Sequence, residues 1–125
     1  MDEQDLYKEI ILDHYHHPRK SGKLAAYTHS SHIDNPLCGD TIDTYLRVTD
    51  GVVVDASFIA SGCAISIASA SILFESLLGK TIAQIQRITT EDILASLHTH
   101  QLTPARLKCA LLPLEAVHRA LIIKK

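Results

Sequence analysis

Residues 41–60 read TIDTYLRVTDGVVVDASFIA, and this stretch decides the fold. Polar and apolar side chains alternate over residues 41–49, which is the period of a strand with one buried face. A second run rich in β-branched residues covers residues 52–60, and Asp50-Gly51 separates the two runs. Asp-Gly at such a position is typical of a two-residue hairpin turn. We therefore predict two antiparallel strands, preceded by a weaker third strand at about residues 27–33.

Helical patterns lie on both sides of the hairpin. The segment after it is apolar nearly all round, which predicts a buried helix with Gly79 as its C-cap. Thr89 or Thr90 is the predicted N-cap of a short helix, and Pro113 stands near the predicted start of the last one. The predicted helices cover residues 4–15, 64–78, about 89–98, and 110–123. Strands before helices, without βαβ alternation, indicate an α+β fold: a small antiparallel three-stranded sheet with helices packed on one face.

The composition limits the size and class of the protein. A chain of 125 residues with 46% hydrophobic content is enough for one core, so we predict a single domain over residues 1–125. The 12 basic and 14 acidic side chains give a formal net charge of -2, which favours no nucleic-acid partner. No apolar run approaches a bilayer span, and the acidic N-terminus is unlike a signal peptide. We expect a cytoplasmic protein with no membrane partner.

The 3 cysteines carry the candidate chemistry. An odd number of cysteines in a reducing compartment argues against a disulfide framework and favours metal-binding or catalytic thiols. Each lies at a predicted element junction, with Cys109 at the head of the last helix, and such loop ends can converge at one edge of a domain. Three thiolates and one carboxylate make a sound tetrahedral set for zinc and a possible set for an iron–sulfur cluster. The candidate ligands are Cys38, Asp40, Cys63 and Cys109.

Other interpretations of these residues stay open at this level. No CxxC pair is present, and an isolated cysteine is commonly a small buried hydrophobe, while Asp40 alone is typical of a turn or cap. His98 and His100 come nearest Cys109 in sequence. They are candidates for hydrogen bonding to the ligands or for replacing one of them. The cations at Arg106 and Lys108 either belong to a solvated helix entry or favour the thiolate form of Cys109.

Three motifs, in order along the chain, resemble one known family. They are CGD at residues 38–40, SGCAISIASAS at residues 61–71 and PARLKC at residues 104–109. Leu6-Tyr7, Asp13-His14-Tyr15 and Pro18-Arg19 extend the likeness to the N-terminal part. The chain resembles the IscU/NifU N-terminal/SufU family of iron–sulfur cluster assembly proteins. The fold of that family, a three-stranded antiparallel sheet with helices on one side, agrees with the predicted fold.

The resemblance also implies ligands, cofactors and partners. It assigns Cys38, Asp40, Cys63 and Cys109 as the ligands of zinc in the purified protein and, transiently, of iron or a 2Fe–2S cluster. A cysteine desulfurase of the SufS, IscS or NifS type would donate sulfur, and apo iron–sulfur proteins would accept the product. We expect Cys38 to be the main sulfur acceptor, with Cys109 as the alternative. A chaperone is a possible further partner.

The subtype within the family is mixed. Lys108 stands where IscU-type scaffolds usually have histidine, as in SufU-type proteins, yet the segment between Cys63 and Cys109 is as short as in IscU-type scaffolds. Residues 102–106, LTPAR, replace the chaperone-binding motif Leu-Pro-Pro-Val-Lys. The first hypothesis is a cluster assembly protein, a scaffold or sulfur carrier more than a conventional enzyme. The alternatives are a zinc-dependent SufU-type sulfurtransferase and, less favoured, a structural zinc-binding module.

Overall fold

The computed structural model describes residues 3–35, 39–99 and 101–122. The described part of the chain forms a three-stranded sheet and five helices. None of those helices has an apolar run long enough to cross a membrane. In chain order the elements are α1 (Glu3–His16), β1 (His29–Asn35), β2 (Asp40–Thr49), β3 (Val52–Ser61), α2 (Ala64–Leu77), α3 (Ile82–Gln86), α4 (Thr90–Ser96) and α5 (Pro104–Ile122).

The sheet has the order β1-β2-β3 and both pairings are antiparallel, which confirms the predicted hairpin. Asp50 and Gly51 both have positive φ, at 53° and 77°, as a type I′ turn requires. β1 was predicted two residues too early. Its ladder with β2 continues until Asn35 lies opposite Asp40, and the polar sequence of β1 does not reveal that register.

The helices lie on one face of the sheet, as predicted. α2 and α5 pack on the strands, and α1 packs on α2. The rings of Phe58 in β3 and Phe74 in α2 meet edge to face with centroids 5.1 Å apart, and both side chains are fully buried. The opposite face of the sheet is more open, since Ile59 is 44% exposed there. The α+β prediction is therefore confirmed.

α2 starts where it was predicted, and only its C-terminal end differs. Cys63 is the N-cap residue and joins β3 to the helix, as expected. The helix ends at Leu77, with Leu78 as the C-cap in an extended conformation. Gly79 is therefore not the C-cap itself; it follows with φ of 85° in a turn closed by the Lys80 amide donating to the Leu77 carbonyl.

The last helix begins much earlier than predicted. α5 starts at Pro104, so Pro113 lies inside the helix and not near its start. Pro104 occupies a first-turn position, where its missing N–H costs nothing, and the Thr103 hydroxyl accepts from the Arg106 amide at 3.4 Å. Thr103-Pro104 is therefore a helix-start signal in the sequence, and it predicts the observed start of α5.

Two shorter helices have matching capping boxes. Thr89 caps α4 together with Asp92, which confirms the predicted start of that helix. Thr81 caps α3 together with Gln84, and the sequence prediction missed this helix although the same Thr-x-x-Gln signal is present.

Candidate metal and sulfur site

Three of the four candidate ligands converge at one end of the sheet. Asp40 is the first residue of β2, Cys63 lies between β3 and α2, and Cys109 belongs to α5. One ligand atom from each of the three residues lies within 4.8 Å of the other two. Cys63 is exposed, Cys109 is buried, and Asp40 retains only 1% of its surface. The site is thus a buried carboxylate and thiol with an accessible thiol at the rim.

The other residues that the sequence suggested for the site either lie outside the described residues or differ in position from the prediction. Cys38, the expected main sulfur acceptor, and His100 lie outside the described residues. Cys109 does not stand at the head of α5, as predicted, because the helix starts at Pro104 and Cys109 lies in its second turn. His98 does not belong to the group of ligands formed by the described residues.

The two cationic side chains before Cys109 lie on different sides of α5. Arg106 lines the cleft that contains Cys63 and Cys109. Lys108 lies on another side of α5 and lines a separate surface hollow shared with β1. Successive helical positions point in different directions, so sequence proximity to Cys109 is not proximity to the site.

Asp40 is held in place by two donors at the N-terminal end of α2. Its Oδ1 accepts from the backbone N–H of Cys63 at 3.1 Å, and its Oδ2 accepts from the Ser66 hydroxyl at 2.6 Å. Burial alone would raise the pKa of Asp40, but hydrogen bonds from Ser66, Cys109 and Cys63 outweigh it and hold that pKa below its usual value. The carboxylate therefore stays ionised and oriented although it is buried.

Ser66 was not among the sequence candidates, yet it touches every candidate ligand that the structure describes. It is buried in the first turn of α2. Its Oγ lies 3.6 Å from the sulfur of Cys63 and 3.3 Å from the carbonyl oxygen of Cys109, besides its short bond to Asp40. A signal was available, because Ser66 is one helical turn after Cys63 and must share its end of the helix.

A cleft of about 650 Å³ leads to the site. α1 forms one wall, and the cleft is lined there by Tyr7, Lys8, Ile11 and Leu12. The Tyr7 hydroxyl is buried and has no hydrogen-bond partner among the described residues. Burial raises the pKa of Tyr7, Arg106 opposes this, and Cys63 adds to it. The sequence pattern did not predict that Tyr7 lies at the site.

The donor set suits a soft or borderline metal. Thiolate sulfur and carboxylate oxygen are both ligands of zinc, and thiolates also hold iron–sulfur clusters. The Cys63 sulfur and Asp40 Oδ2 are 3.8 Å apart, and ligand atoms around a tetrahedral zinc stand about 3.3–3.8 Å apart for the usual bond lengths. Asp40, Cys63 and Cys109 could therefore hold a metal ion with small side-chain rotations and one further ligand.

The fold and the site define a small α+β domain that gathers cysteines and one aspartate at the end of its sheet. The NifU-like N terminal domain family matches residues 6–123 of the chain. The protein therefore belongs to this family, as its motifs predicted.

Named relatives and solved structures agree with that assignment. The chain is 33% identical over 119 residues to the iron–sulfur cluster assembly scaffold protein IscU of Escherichia coli K12, covering 92% of this chain and 91% of that protein. It is 32% identical over 117 residues to IscU 1 of Archaeoglobus fulgidus, described as a scaffold of the same kind, covering 94% and 75%.

Among solved structures, a SUF-system protein of Fervidobacterium islandicum AW-1, assigned as an iron–sulfur cluster assembly scaffold, has a TM-score of 0.80 at 26% identity. The alignment covers 96% of this chain and 99% of that one. A NifU-like N-terminal domain from Brucella abortus shares the fold, with a TM-score of 0.78 at 23% identity over 97% of this chain and 96% of that one.

Proposed function

We propose that this protein is an iron–sulfur cluster assembly protein that receives sulfur from a cysteine desulfurase and forms a 2Fe–2S cluster for transfer to acceptor proteins. One observation carries the proposal: Asp40, Cys63 and Cys109 come from three separate elements and place their ligand atoms within 4.8 Å of one another. Relatives that are named cluster assembly scaffolds support it. We propose that residues 1–125 form one such domain and that it works in the cytoplasm.

The proposed ligands have distinct roles. Cys63, Cys109 and Cys38 supply soft thiolates that hold iron, or zinc in the protein as purified. Asp40 supplies a harder oxygen that binds these metals less tightly, so the cargo can leave toward an acceptor protein. The bonds from the Cys63 amide and the Ser66 hydroxyl help to keep the carboxylate charged and oriented without help from the metal.

The proposed sulfur delivery is a thiol–persulfide exchange. The acceptor thiolate attacks the outer sulfur of the desulfurase persulfide, and the bond between the two donor sulfurs breaks. The donor cysteine leaves as a thiolate, and the new persulfide stays on the acceptor. We propose Cys38 as the main acceptor. Cys109, the alternative, is only 6% exposed, which disfavours direct contact with a partner's cysteine.

A second candidate function is a zinc-dependent sulfurtransferase of the SufU type, in which the acceptor thiol leaves zinc during transfer. The likeness to the SUF-system structure and Lys108 before Cys109 favour it. The two functions differ in whether a cluster forms on the protein itself. The sulfur donor and the cluster acceptors are the partners in either case, and a chaperone would act on the scaffold.

Anaerobic reconstitution tests the proposal. The protein is incubated with ferrous iron, cysteine, a desulfurase and dithiothreitol, the thiol that reduces persulfide sulfur to sulfide. Visible absorption and iron and sulfide analysis follow the formation of a 2Fe–2S cluster. We expect one cluster that is lost in Cys63→Ala and Cys109→Ala and retained in Ser57→Ala, a buried control away from the site. Zinc retention, a persulfide on Cys38 by mass spectrometry, faster desulfurase turnover and no cluster would instead establish the sulfurtransferase.

A further inference from the structure

Ser66 has one hydroxyl proton and two acceptors within reach. Asp40 Oδ2 is 2.6 Å from Ser66 Oγ, and the Cys109 carbonyl oxygen is 3.3 Å away. A serine hydroxyl donates one hydrogen bond at full strength, so the shorter contact takes the proton. All three groups are buried, with Ser66 at 3% exposure, which means that bulk water does not compete for this proton.

Pro113 explains why the second acceptor is there. In an α-helix, the carbonyl of residue 109 accepts from the N–H of residue 113, but proline has no N–H. The Cys109 carbonyl therefore lacks that helical bond, and the hydroxyl of Ser66 faces it from α2. The next carbonyl, of Ala110, similarly accepts from Ser69 of α2 at 2.6 Å.

Binding of a metal by Asp40 changes which acceptor the Ser66 hydroxyl uses. A metal ion on Oδ2 takes one of its lone pairs and withdraws negative charge from that oxygen, so it weakens the bond from Ser66. A buried hydroxyl without an acceptor is costly. Here the proton can rotate to the Cys109 carbonyl, so the cost is avoided without any movement of the backbone.

We propose that Ser66 is a positioning residue whose hydroxyl donates to Asp40 when that carboxylate binds no metal and to the Cys109 carbonyl when Asp40 binds metal or cluster, and that its bond to the freed carboxylate speeds release of the cargo. The inference rests on the proposed function. Ser66 draws Asp40 away from the bound ion and stabilises the released carboxylate. Pro113 acts through the same hydroxyl in the opposite sense, because it keeps the second acceptor available and so stabilises the loaded site.

The test uses Zn²⁺ alone, so that it does not depend on cluster assembly. Release of zinc to a chromophoric chelator is followed by stopped flow for the wild-type protein and for Ser66→Ala. We expect Ser66→Ala to release zinc about fivefold more slowly, the change that one hydrogen bond of ordinary net strength produces. Ser69→Ala is the matched control, since Ser69 is equally buried in α2 and donates to α5 but does not contact Asp40; it should release zinc at the wild-type rate.

Two further variants separate positioning from packing. Pro113→Ala restores an N–H to the Cys109 carbonyl, so it should act in the opposite direction and speed release, and this effect should vanish in the Ser66→Ala background. In an Asp40→Ala background, Ser66→Ala should leave the release rate unchanged. Alanine suits a helix interior, and circular dichroism checks that each variant is folded.

Unchanged or faster release from Ser66→Ala, an equal effect of Ser69→Ala, or persistence of the effect without Asp40 would overturn the proposal. Failure to bind zinc at all would overturn it as well. Absence of cluster formation on a protein that binds and releases zinc as described would overturn the proposed function and leave the role of Ser66 intact.

Discussion

A Cβ atom on Gly62 would lie 2.2 Å from Oδ1 of Asp40, a distance that no pair of such atoms tolerates. The two residues are neighbours across the end of the hairpin, because Thr41 pairs with Ser61 and the chain continues by one residue on each side. Gly62 also has φ of 152°, which side chains disfavour. The carboxylate of Asp40 therefore occupies the space that any other residue at position 62 would fill.

Gly62→Ala should displace Asp40 and weaken the site. We expect zinc affinity to fall by about tenfold or more, corresponding to roughly 1.4 kcal/mol of binding free energy. Competition with a chromophoric chelator measures it. Gly22→Ala is the control: Gly22 also has a disfavoured φ, of 125°, but a Cβ there would meet nothing within 4 Å. Equal zinc affinity for Gly62→Ala and the wild-type protein would contradict this account.

Asp40→Ala should make an assembled cluster longer-lived and slow its transfer to an apo-ferredoxin several-fold. The reason is that the variant loses the one hard ligand, which is the exchangeable member of the set. Transfer is followed by circular dichroism in the visible range. Asp43→Ala serves as the control, since Asp43 lies on the same strand with its side chain on the opposite face of the sheet. Faster cluster loss from a folded Asp40→Ala protein would count against an exchange role.

Cys63→Ser and Cys109→Ser should differ in their effects on the metal-free protein. Cys63 is the N-cap of α2 without a side-chain capping bond, and serine is a preferred N-cap, so this variant should be as stable as wild type or up to about 1 kcal/mol more stable. Cys109 is buried, and a hydroxyl in its place should cost about 1–2 kcal/mol.

Urea unfolding in the presence of a chelator measures both free energies of unfolding. Both variants should lose zinc affinity, which shows that stability and ligation separate at position 63. A larger loss of metal-free stability for Cys63→Ser than for Cys109→Ser would contradict the exposed position of Cys63 and the buried position of Cys109.

His14 should make the protein less stable in mild acid. Its Nδ1 lies 2.7 Å from the Ser71 hydroxyl at the contact of α1 with α2. Burial lowers the pKa of His14, Arg19 lowers it further, and Asp13 and Glu75 partly oppose this. The folded state therefore binds a proton less readily than the unfolded state, and the stabilising contribution is full above about pH 6.5 and is lost as the pH falls toward the folded pKa.

His14→Gln should flatten that part of the stability profile, measured as the free energy of unfolding from about pH 7.5 to 5.5. His32→Gln is an informative control with the opposite sign. Hydrogen bonding to Asp43 and the charge of Asp34 raise the pKa of His32, so its contribution is present below about pH 6.5 and is lost as the pH rises through the folded pKa. Parallel pH profiles for His14→Gln and wild type would refute the assignment to His14.

Local patterns in the sequence determined the hairpin, the α+β class, the buried helix and the identity of three ligand candidates. Alternation, the Asp-Gly turn and capping residues act over a few positions, so they can be read without knowing the fold. The sequence prediction of the start of α5 was wrong because Pro113 resembles an early-helix proline, whereas the Thr103-Pro104 start signal lies further upstream.

Only the tertiary structure decided how the site is supported. Ser66 and Gly62 meet Asp40 across long stretches of chain, and Tyr7 lines the cleft that leads to the site. These placements depend on the register of the sheet and the packing of α1, α2 and α5. A serine that bonds Asp40 looks in sequence like the serines beside it, because helical spacing shows which face a residue shares but not what lies opposite. Long-range packing places one hydroxyl against one carboxylate, and that geometry distinguishes Ser66 from Ser69.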